Sequence, residues 1–229
     1  GNYDIEIISG ADAATMANAK KGTVQSSRLI CPETGNSYAI SDLRGDRRVN
    51  GETVYGLRLW ENDDLVPRSE DVFQERLYCV RWAVPGEDRV FAAPDMADHA
   101  RETKVLSLMK RHLSDWQDKG YVPSTPIPRG GDKTEEPIRT RGWSYWHHLF
   151  TPRQLLMLGT FIKNAVSPDP TNALRVGVAA VGVGSAANFL SRLCGINPHK
   201  SKGPGSPVNV FYNQALNTTL VIGSRTLAG

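Results

Sequence analysis

The strongest structural signal in this chain is a helix start near residue 151. Thr151 is a residue type that caps helices, Pro152 is favoured at the first helical position, and Gln154 completes a T-x-x-Q capping box. Leu149 or Phe150 lies just before the cap, where an apolar residue packs back onto the first turn. The pattern therefore predicts a helix that begins at Pro152.

Besides Phe150, three aromatic residues precede this helix, and their ring area must be buried or used for stacking. They are Trp143, Tyr145 and Trp146. The sequence before them is mixed and acidic, whereas the sequence after them is small, apolar and basic. We therefore interpret this stretch as the joint of the molecule, in which the three side chains either stack on a ligand or close the contact between two domains.

The charge of the chain is divided unevenly between its two halves. Residues 1–120 contain 16 Lys and Arg against 20 Asp and Glu, whereas residues 121–229 contain 11 against 4. No acidic residue follows Asp169. A basic half of this kind suits a polyanion such as nucleic acid, and the alternatives are an acidic partner domain or exposure to water.

Residues 1–120 show short strand patterns followed by one long helix. Val54–Trp60 and Glu75–Val84 are rich in β-branched and aromatic residues, which favours strands. Asp95 is a good helix cap, and apolar residues follow it at helical spacing as far as Trp116. The first 120 residues are therefore predicted to form an α+β domain of the insertion type, a small antiparallel sheet with one long helix.

The rest of the chain is predicted to be a linker followed by helices. Residues 121–142 are rich in Pro and Gly, which is typical of an extended connection. Residues 143–229 are predicted to form a mostly helical segment, with one helix ending by Val166 and a second over residues 172–192.

Three glycines interrupt the second of these helices. Gly177, Gly182 and Gly184 each weaken a helix by about 1 kcal/mol relative to alanine, a cost that is explained if another backbone packs close to them. Residues 182–187 also match the G-x-G-x-x-A pattern of dinucleotide sites. That pattern requires an acidic residue about 20 positions further on, and none follows. Close helix packing is therefore the preferred interpretation.

The sequence predicts no metal site. His147 and His148 are adjacent, so on a helix their side chains point apart and cannot bind one metal as an i, i+4 pair, although pH sensing or stacking remains open. Cys31, Cys79 and Cys194 are odd in number and far apart, which argues against a disulfide framework. No apolar run is clearly a membrane span. We therefore expect a cytoplasmic protein without a membrane partner.

The segment Leu149-Phe150-Thr151-Pro152-Arg153-Gln154-Leu155, preceded by Tyr145-Trp146, resembles a signature of the large adenine-specific DNA methylases of bacteria and archaea. These multi-domain enzymes often carry a zinc ribbon and occur beside anti-phage genes. Shorter pieces such as Ser191-Arg192-Leu193-Cys194 agree in order, and the similarity covers most of residues 20–220. The resembling region is the middle of such enzymes, between the cofactor-binding glycine loop and the D-P-P-Y catalytic loop. This sequence has neither loop.

The resemblance implies a segment of an S-adenosylmethionine-dependent DNA adenine-N6 methyltransferase that supplies DNA-contacting and scaffold surface rather than catalytic loops. We expect the isolated chain to be inactive and to hold no cofactor, because both loops are needed to bring the methyl donor to adenine. DNA and the remaining part of the methylase are the expected partners. The residues assigned to DNA contact are Arg139, Arg141, Arg153, Lys200 and Lys202. The alternative is a non-catalytic module that binds a protein or a nucleic acid.

Overall fold

The computed structural model describes residues 5–8, 10–83, 90–131, 133–166 and 172–194. These residues form two compact units, one built from residues up to 58 and from 69–95, the other from 59–68 and from residue 96 onward. All described strands belong to the first unit, whereas long helices build the second. The chain is therefore α+β with a helical C-terminal part, as predicted.

The first unit begins with helix α1 (Ala13–Lys21), which Asp12 caps by accepting a 2.7 Å hydrogen bond from the backbone N–H of Thr15. An antiparallel three-stranded sheet follows, in the order β1 (Val24–Gln25), β2 (Arg28–Ile30) and β3 (Ser37–Ala39). Its register pairs Leu29 with Tyr38. The sheet leads directly into the short helix α2 (Ile40–Arg44).

Two hairpins complete the first unit. Strands β4 (Arg47–Val49) and β5 (Glu52–Val54) are joined by Asn50 and Gly51, which both have positive φ, at 52° and 86°. Such a pair is the preferred turn of a two-residue hairpin. Strand β6 (Val80–Trp82) pairs with β7 (Val90–Ala92). The single small sheet expected in this half is therefore three separate small sheets.

The strand predicted over Val54–Trp60 was wrong beyond its first residue. Strand β5 ends at Val54, and the backbone then passes so close to another turn that a Cβ on Gly56 would lie 2.3 Å from the carbonyl oxygen of Gly45. Trp60 is only 5 % exposed and belongs to the second unit. The Trp60 side chain is therefore buried in the helical unit and does not belong to a sheet.

The second unit is built on helix α3 (Met96–Asp118), which buries Met109, Leu113 and Trp116 at the predicted helical spacing. After it, Gly120 has a φ of 72°, a left-handed conformation that favours glycine. The buried residues of α3 form one hydrophobic cluster with others of this unit, namely Leu65, Val122 and Leu155.

Helix α5 (Pro152–Val166) begins and ends where the sequence predicted. The capping box is present: the side-chain oxygen of Gln154 accepts from the Thr151 N–H at 2.8 Å, and the Gln154 N–H donates to the Thr151 hydroxyl at 3.3 Å. Phe150 packs against the cluster that contains Leu155, as expected of a residue just before the cap. Helix α5 packs on both α3 and the following helix, α6 (Ala173–Ala187).

Residues 121–142 are not an extended linker. Val122, Ile127 and Ile138 are buried at 2–4 % exposure, and residues Glu135–Arg141 form helix α4. The Pro and Gly content of this stretch sets its turns, but the apolar residues between them are drawn into the core. Because the helix before this stretch and the helices after it share that core, the described chain does not divide at residue 120.

The close-packing interpretation of the α6 glycines was wrong within the described chain. No atom outside the helix backbone lies within 4 Å of a Cβ placed on Gly177 or Gly184. At Gly182 the neighbour is the ring of Phe161, at 3.6 Å, which is an ordinary contact with a side chain. The helix also ends at Ala187, five residues before the predicted end.

Candidate functional site

The aromatic stretch before α5 forms a joint with residues 59–68, inside the second unit. The N–H of Trp60 donates to the carbonyl of Gly142 at 2.8 Å, and the Ser144 hydroxyl donates back to the Trp60 carbonyl. The indole of Trp143 meets that of Trp60 edge to face, with ring centroids 6.3 Å apart. Two segments more than 80 residues apart in sequence are therefore held by paired rings and backbone hydrogen bonds.

Both histidines of the stretch point into this joint. They lie on a short 3₁₀ helix (Trp146–Leu149), are fully buried, and have ring centroids 4.3 Å apart. The expectation that their side chains point apart was wrong, because the two rings meet edge to face and reach the carbonyls of two adjacent residues. Nε2 of His147 lies 3.0 Å from the carbonyl of Asn62, and Nε2 of His148 lies 3.0 Å from that of Glu61.

The hydrogen bonds of His148 define its protonation. Its Nδ1 accepts from the backbone N–H groups of Ser144 and Tyr145, each at 3.2 Å, so the ring proton must be on Nε2, where it is donated to the Glu61 carbonyl. Burial and, to a smaller extent, the neighbouring His147 lower the pKa of His148 to about 3. This histidine is neutral and fully bonded at neutral pH.

His147 is also neutral at neutral pH, because burial lowers its pKa to about 4. Its Nε2 donates to the Asn62 carbonyl, whereas its buried Nδ1 has no hydrogen-bond partner among the described residues. A base with so low a pKa is a poor proton acceptor at pH 7. The arrangement is that of a structural pair and not of a general base.

The guanidinium of Arg192 closes the joint. It is fully buried, and it donates from Nη1 to the His148 carbonyl at 2.6 Å and from Nη2 to the Leu65 carbonyl at 2.9 Å. Its central carbon lies 5.3 Å from the ring centroid of Trp60 and 5.6 Å from that of Trp143, within cation–π range. One of the charged residues of the basic half is therefore buried and joins interior segments of the protein.

The predicted aromatic residues have different environments. Trp143 is 3 % exposed, which favours the joint over stacking on a ligand. Trp146 is 37 % exposed, and Tyr145 is half-buried with its ring edge-to-face on that of His148. Of the three, Tyr145 and Trp146 remain accessible for contact with another molecule.

Of the basic residues assigned to DNA contact, the three that the structure describes lie on two helices, α4 and α5. Arg139 and Arg141 lie in the last turn of α4, both partly buried. Arg153 is paired with Glu102 of α3, to whose carboxylate its Nε donates at 2.8 Å. Lys200 and Lys202 lie outside the described residues.

The residues that match G-x-G-x-x-A do not fit S-adenosylmethionine or a dinucleotide. Such a ligand is held by a glycine loop between a strand and a helix, where backbone N–H groups face the ligand. Gly182 and Gly184 instead lie in the interior of α6, where intrahelical bonds occupy the backbone N–H groups. The nucleotide interpretation of this motif therefore has no geometry to support it.

Within the described part of the chain, no three His, Cys, Asp or Glu side chains are grouped so as to hold a metal ion. The three cysteines are free thiols there, two half-buried and one, Cys194, buried. None of the described helices combines the length and the apolar character needed to cross a bilayer.

No protein-family model, no curated protein and no solved structure matches this chain.

Sequence reasoning missed the residues that organise the joint. Trp60 was assigned to a strand and Arg192 to the end of a helix with no interior role, although Arg192 stands between apolar residues in Phe189-Leu190-Ser191-Arg192-Leu193-Cys194. A single charge inside an apolar run is a signal for a buried, hydrogen-bonded guanidinium. No pattern in the sequence around Leu65 or His148 identifies them as the partners of Arg192.

Proposed function

We propose that this chain is a scaffold and DNA-contacting segment of a DNA adenine-N6 methyltransferase, and that the catalytic loops are supplied by another part of that enzyme. The observation that carries the proposal is the joint itself. The block that resembles the methylase signature runs directly from it, and its buried polar groups bond to backbone carbonyls and N–H groups instead of facing a substrate. Such a block stabilises an architecture and leaves the reaction to other residues.

The charge of the second unit supports the DNA part of the proposal. Arg139 and Arg141 stand at the carboxyl end of α4, and the sequence places Lys200 and Lys202 in a stretch without acidic residues. Lysine and arginine side chains bind the phosphate backbone and release its counterions. Arg153 is a weaker candidate, because Glu102 already neutralises its charge.

A calorimetric titration tests the division of roles. The full chain, residues 1–229, is titrated with S-adenosylmethionine and, separately, with duplex DNA. The proposal expects binding to DNA and no measurable heat with S-adenosylmethionine. A micromolar site for the methyl donor would contradict it, because such a site needs a loop that this account places in another part of the enzyme.

The exposed face of α6 favours a second candidate, a non-catalytic module that docks another copy of this chain. Leu174, Val178 and Val181 are 65–78 % exposed and share one face of the helix, on which Gly177 and Gly184 leave open space. Large and small residues that alternate in this way allow the same face of a second copy to pack closely. Gel filtration of the full chain tests this candidate: a dimer that Val178→Lys converts to a monomer supports it, and a monomeric wild type excludes it.

A further inference from the structure

A cleft on the second unit has the size of a small-molecule site. Its volume is about 340 Å³, in the range of ligand pockets. Four parts of the chain line it: the start of the segment 59–68, the stretch 126–129, helix α4 and the segment before the 3₁₀ helix. The lining includes Leu59, Pro126, Ile127, Arg129, Ile138 and Tyr145.

Several backbone N–H groups around the cleft are already hydrogen-bonded within the protein. The N–H of Ile127 donates to the Ser144 carbonyl at 2.8 Å, and the N–H of Trp146 donates to the Thr125 carbonyl at 3.2 Å, so two extended segments are tied side by side. The N–H of Tyr145 is donated to His148. These N–H groups already have acceptors, so we look to the side chains of the cleft for recognition of a ligand.

The side chains of the cleft offer apolar walls, the cation of Arg129 and two polar groups that already have partners, the carboxylate of Glu61 with Arg68 and the amide of Asn62 with Gln117. Leu59, Pro126 and the ring of Tyr145 are accessible apolar surfaces, and Ile127 and Ile138 close the bottom. Arg129 is exposed at the edge and forms no ion pair with an acidic residue of the described chain. The Trp60 indole adds little stacking surface, because Trp143, His148 and Arg192 surround it.

We infer that this cleft binds one unstacked nucleotide, with the base against Tyr145 and Pro126 and the phosphate paired with Arg129. An apolar slot beside a single guanidinium matches the two parts of a nucleotide, because every base has a π-face and every phosphate a charge that arginine binds through two N–H groups. The inference rests on the proposed nucleic-acid function, and it assigns a single nucleotide as the ligand of this cleft.

The test uses adenosine 5′-monophosphate and adenosine as probes of the full chain, with binding followed by NMR titration. The nucleotide binds more tightly than the nucleoside, by about fivefold or more, because only the nucleotide carries the phosphate. Arg129→Ala removes this difference, and Tyr145→Leu weakens both probes by about tenfold, since the stacked ring is lost. Tyr145→Phe keeps the ring and the affinity. Arg175→Ala, at an exposed arginine on α6, is the matched control and changes neither affinity.

Two results would overturn the inference: no binding of the nucleotide at millimolar concentration, or equal affinity in the wild type and in Arg129→Ala. Because Arg129 is exposed, its replacement keeps the chain folded and the comparison valid even if Tyr145→Leu does not fold. Duplex DNA binding is measured in parallel. Duplex binding without nucleotide binding contradicts the nucleotide site in the cleft and leaves the proposed function intact. Nucleotide binding without duplex binding contradicts the proposed function alone.

Discussion

Nη1 of Arg192 donates a 2.6 Å hydrogen bond to the backbone carbonyl of His148, 44 residues earlier in the chain. The same guanidinium reaches the carbonyl of Leu65, 127 residues away, so one side chain joins three distant segments of the second unit. The planar guanidinium donates to the two carbonyls from two separate nitrogens, whereas the three N–H donors of a lysine all lie on one nitrogen. The joint therefore depends on arginine at this position.

Replacing Arg192 by alanine is expected to lower the free energy of unfolding by about 3 kcal/mol or more, because two buried carbonyls lose their donor and a large buried volume is emptied. Arg192→Lys is expected to recover only part of this loss. Urea unfolding followed by tryptophan fluorescence measures both. Arg175→Ala removes an exposed arginine that makes one hydrogen bond, from Nη2 to the Asn164 carbonyl at 2.8 Å, and is expected to change stability by at most about 1 kcal/mol. Equal effects at positions 192 and 175 would contradict the role of Arg192.

The two buried histidines are expected to make the chain sensitive to acid. Both have folded-state pKa values lowered by burial, to about 4 for His147 and about 3 for His148, below the value of roughly 6.5 of an exposed histidine. At pH values between these folded-state pKa values and roughly 6.5, the unfolded chain binds more protons than the folded chain. The stabilising contribution is therefore complete above pH 6.5 and is lost as the pH falls, at up to about 1.4 kcal/mol per pH unit for each histidine.

Unfolding free energies measured at intervals from pH 7.5 to pH 4.5 test this dependence. His148→Gln is expected to be less stable at pH 7.5 and to lose less stability on acidification, because one of the two titrating groups is gone. A variant whose stability falls with pH as steeply as that of the wild type would show that other groups cause the acid sensitivity.

Two glycines in neighbouring helices are expected to respond to alanine in opposite ways. A Cβ on Gly159 would lie 2.5 Å from the ring of Trp116, so Gly159→Ala forces α3 and α5 apart and should cost about 1–3 kcal/mol. Gly177, in the interior of α6, has open space, so Gly177→Ala should gain roughly 0.4–1 kcal/mol by restricting the unfolded chain. Thermal unfolding compares the two variants, and a gain at Gly159 would contradict the packing of α3 on α5.

The local features of this chain were predictable because their signals are local. Capping residues marked the start of α5, and apolar spacing marked α3 with its buried face of Met109, Leu113 and Trp116. The hairpin turn at Asn50 and Gly51 was also readable, since Asn-Gly between β-type residues is a strong hairpin signal, and it was missed.

The joint was not predictable, because its contacts link residues far apart in sequence. Tryptophan is a residue type that favours strands, and only the fold shows that the ring of Trp60 packs against that of Trp143. Pro and Gly between residues 121 and 142 suggested a linker, yet the same stretch contributes Val122 and Ile127 to the core. Periodicity and turn chemistry describe a segment, whereas the partner of each buried side chain is a property of the whole unit.

The salt dependence of duplex DNA binding tests the central proposal most directly. Affinity is measured by fluorescence anisotropy between 50 and 200 mM salt for the wild type and for Lys200→Glu/Lys202→Glu, with Lys110→Glu on the exposed face of α3 as the matched control. If both lysines contact phosphate, the double variant binds DNA more weakly and the slope of log K against log salt falls by about 2, because each lost phosphate contact removes about 0.9. The control keeps the slope of the wild type. Unchanged affinity and slope in the double variant would contradict a DNA-contacting role for this segment.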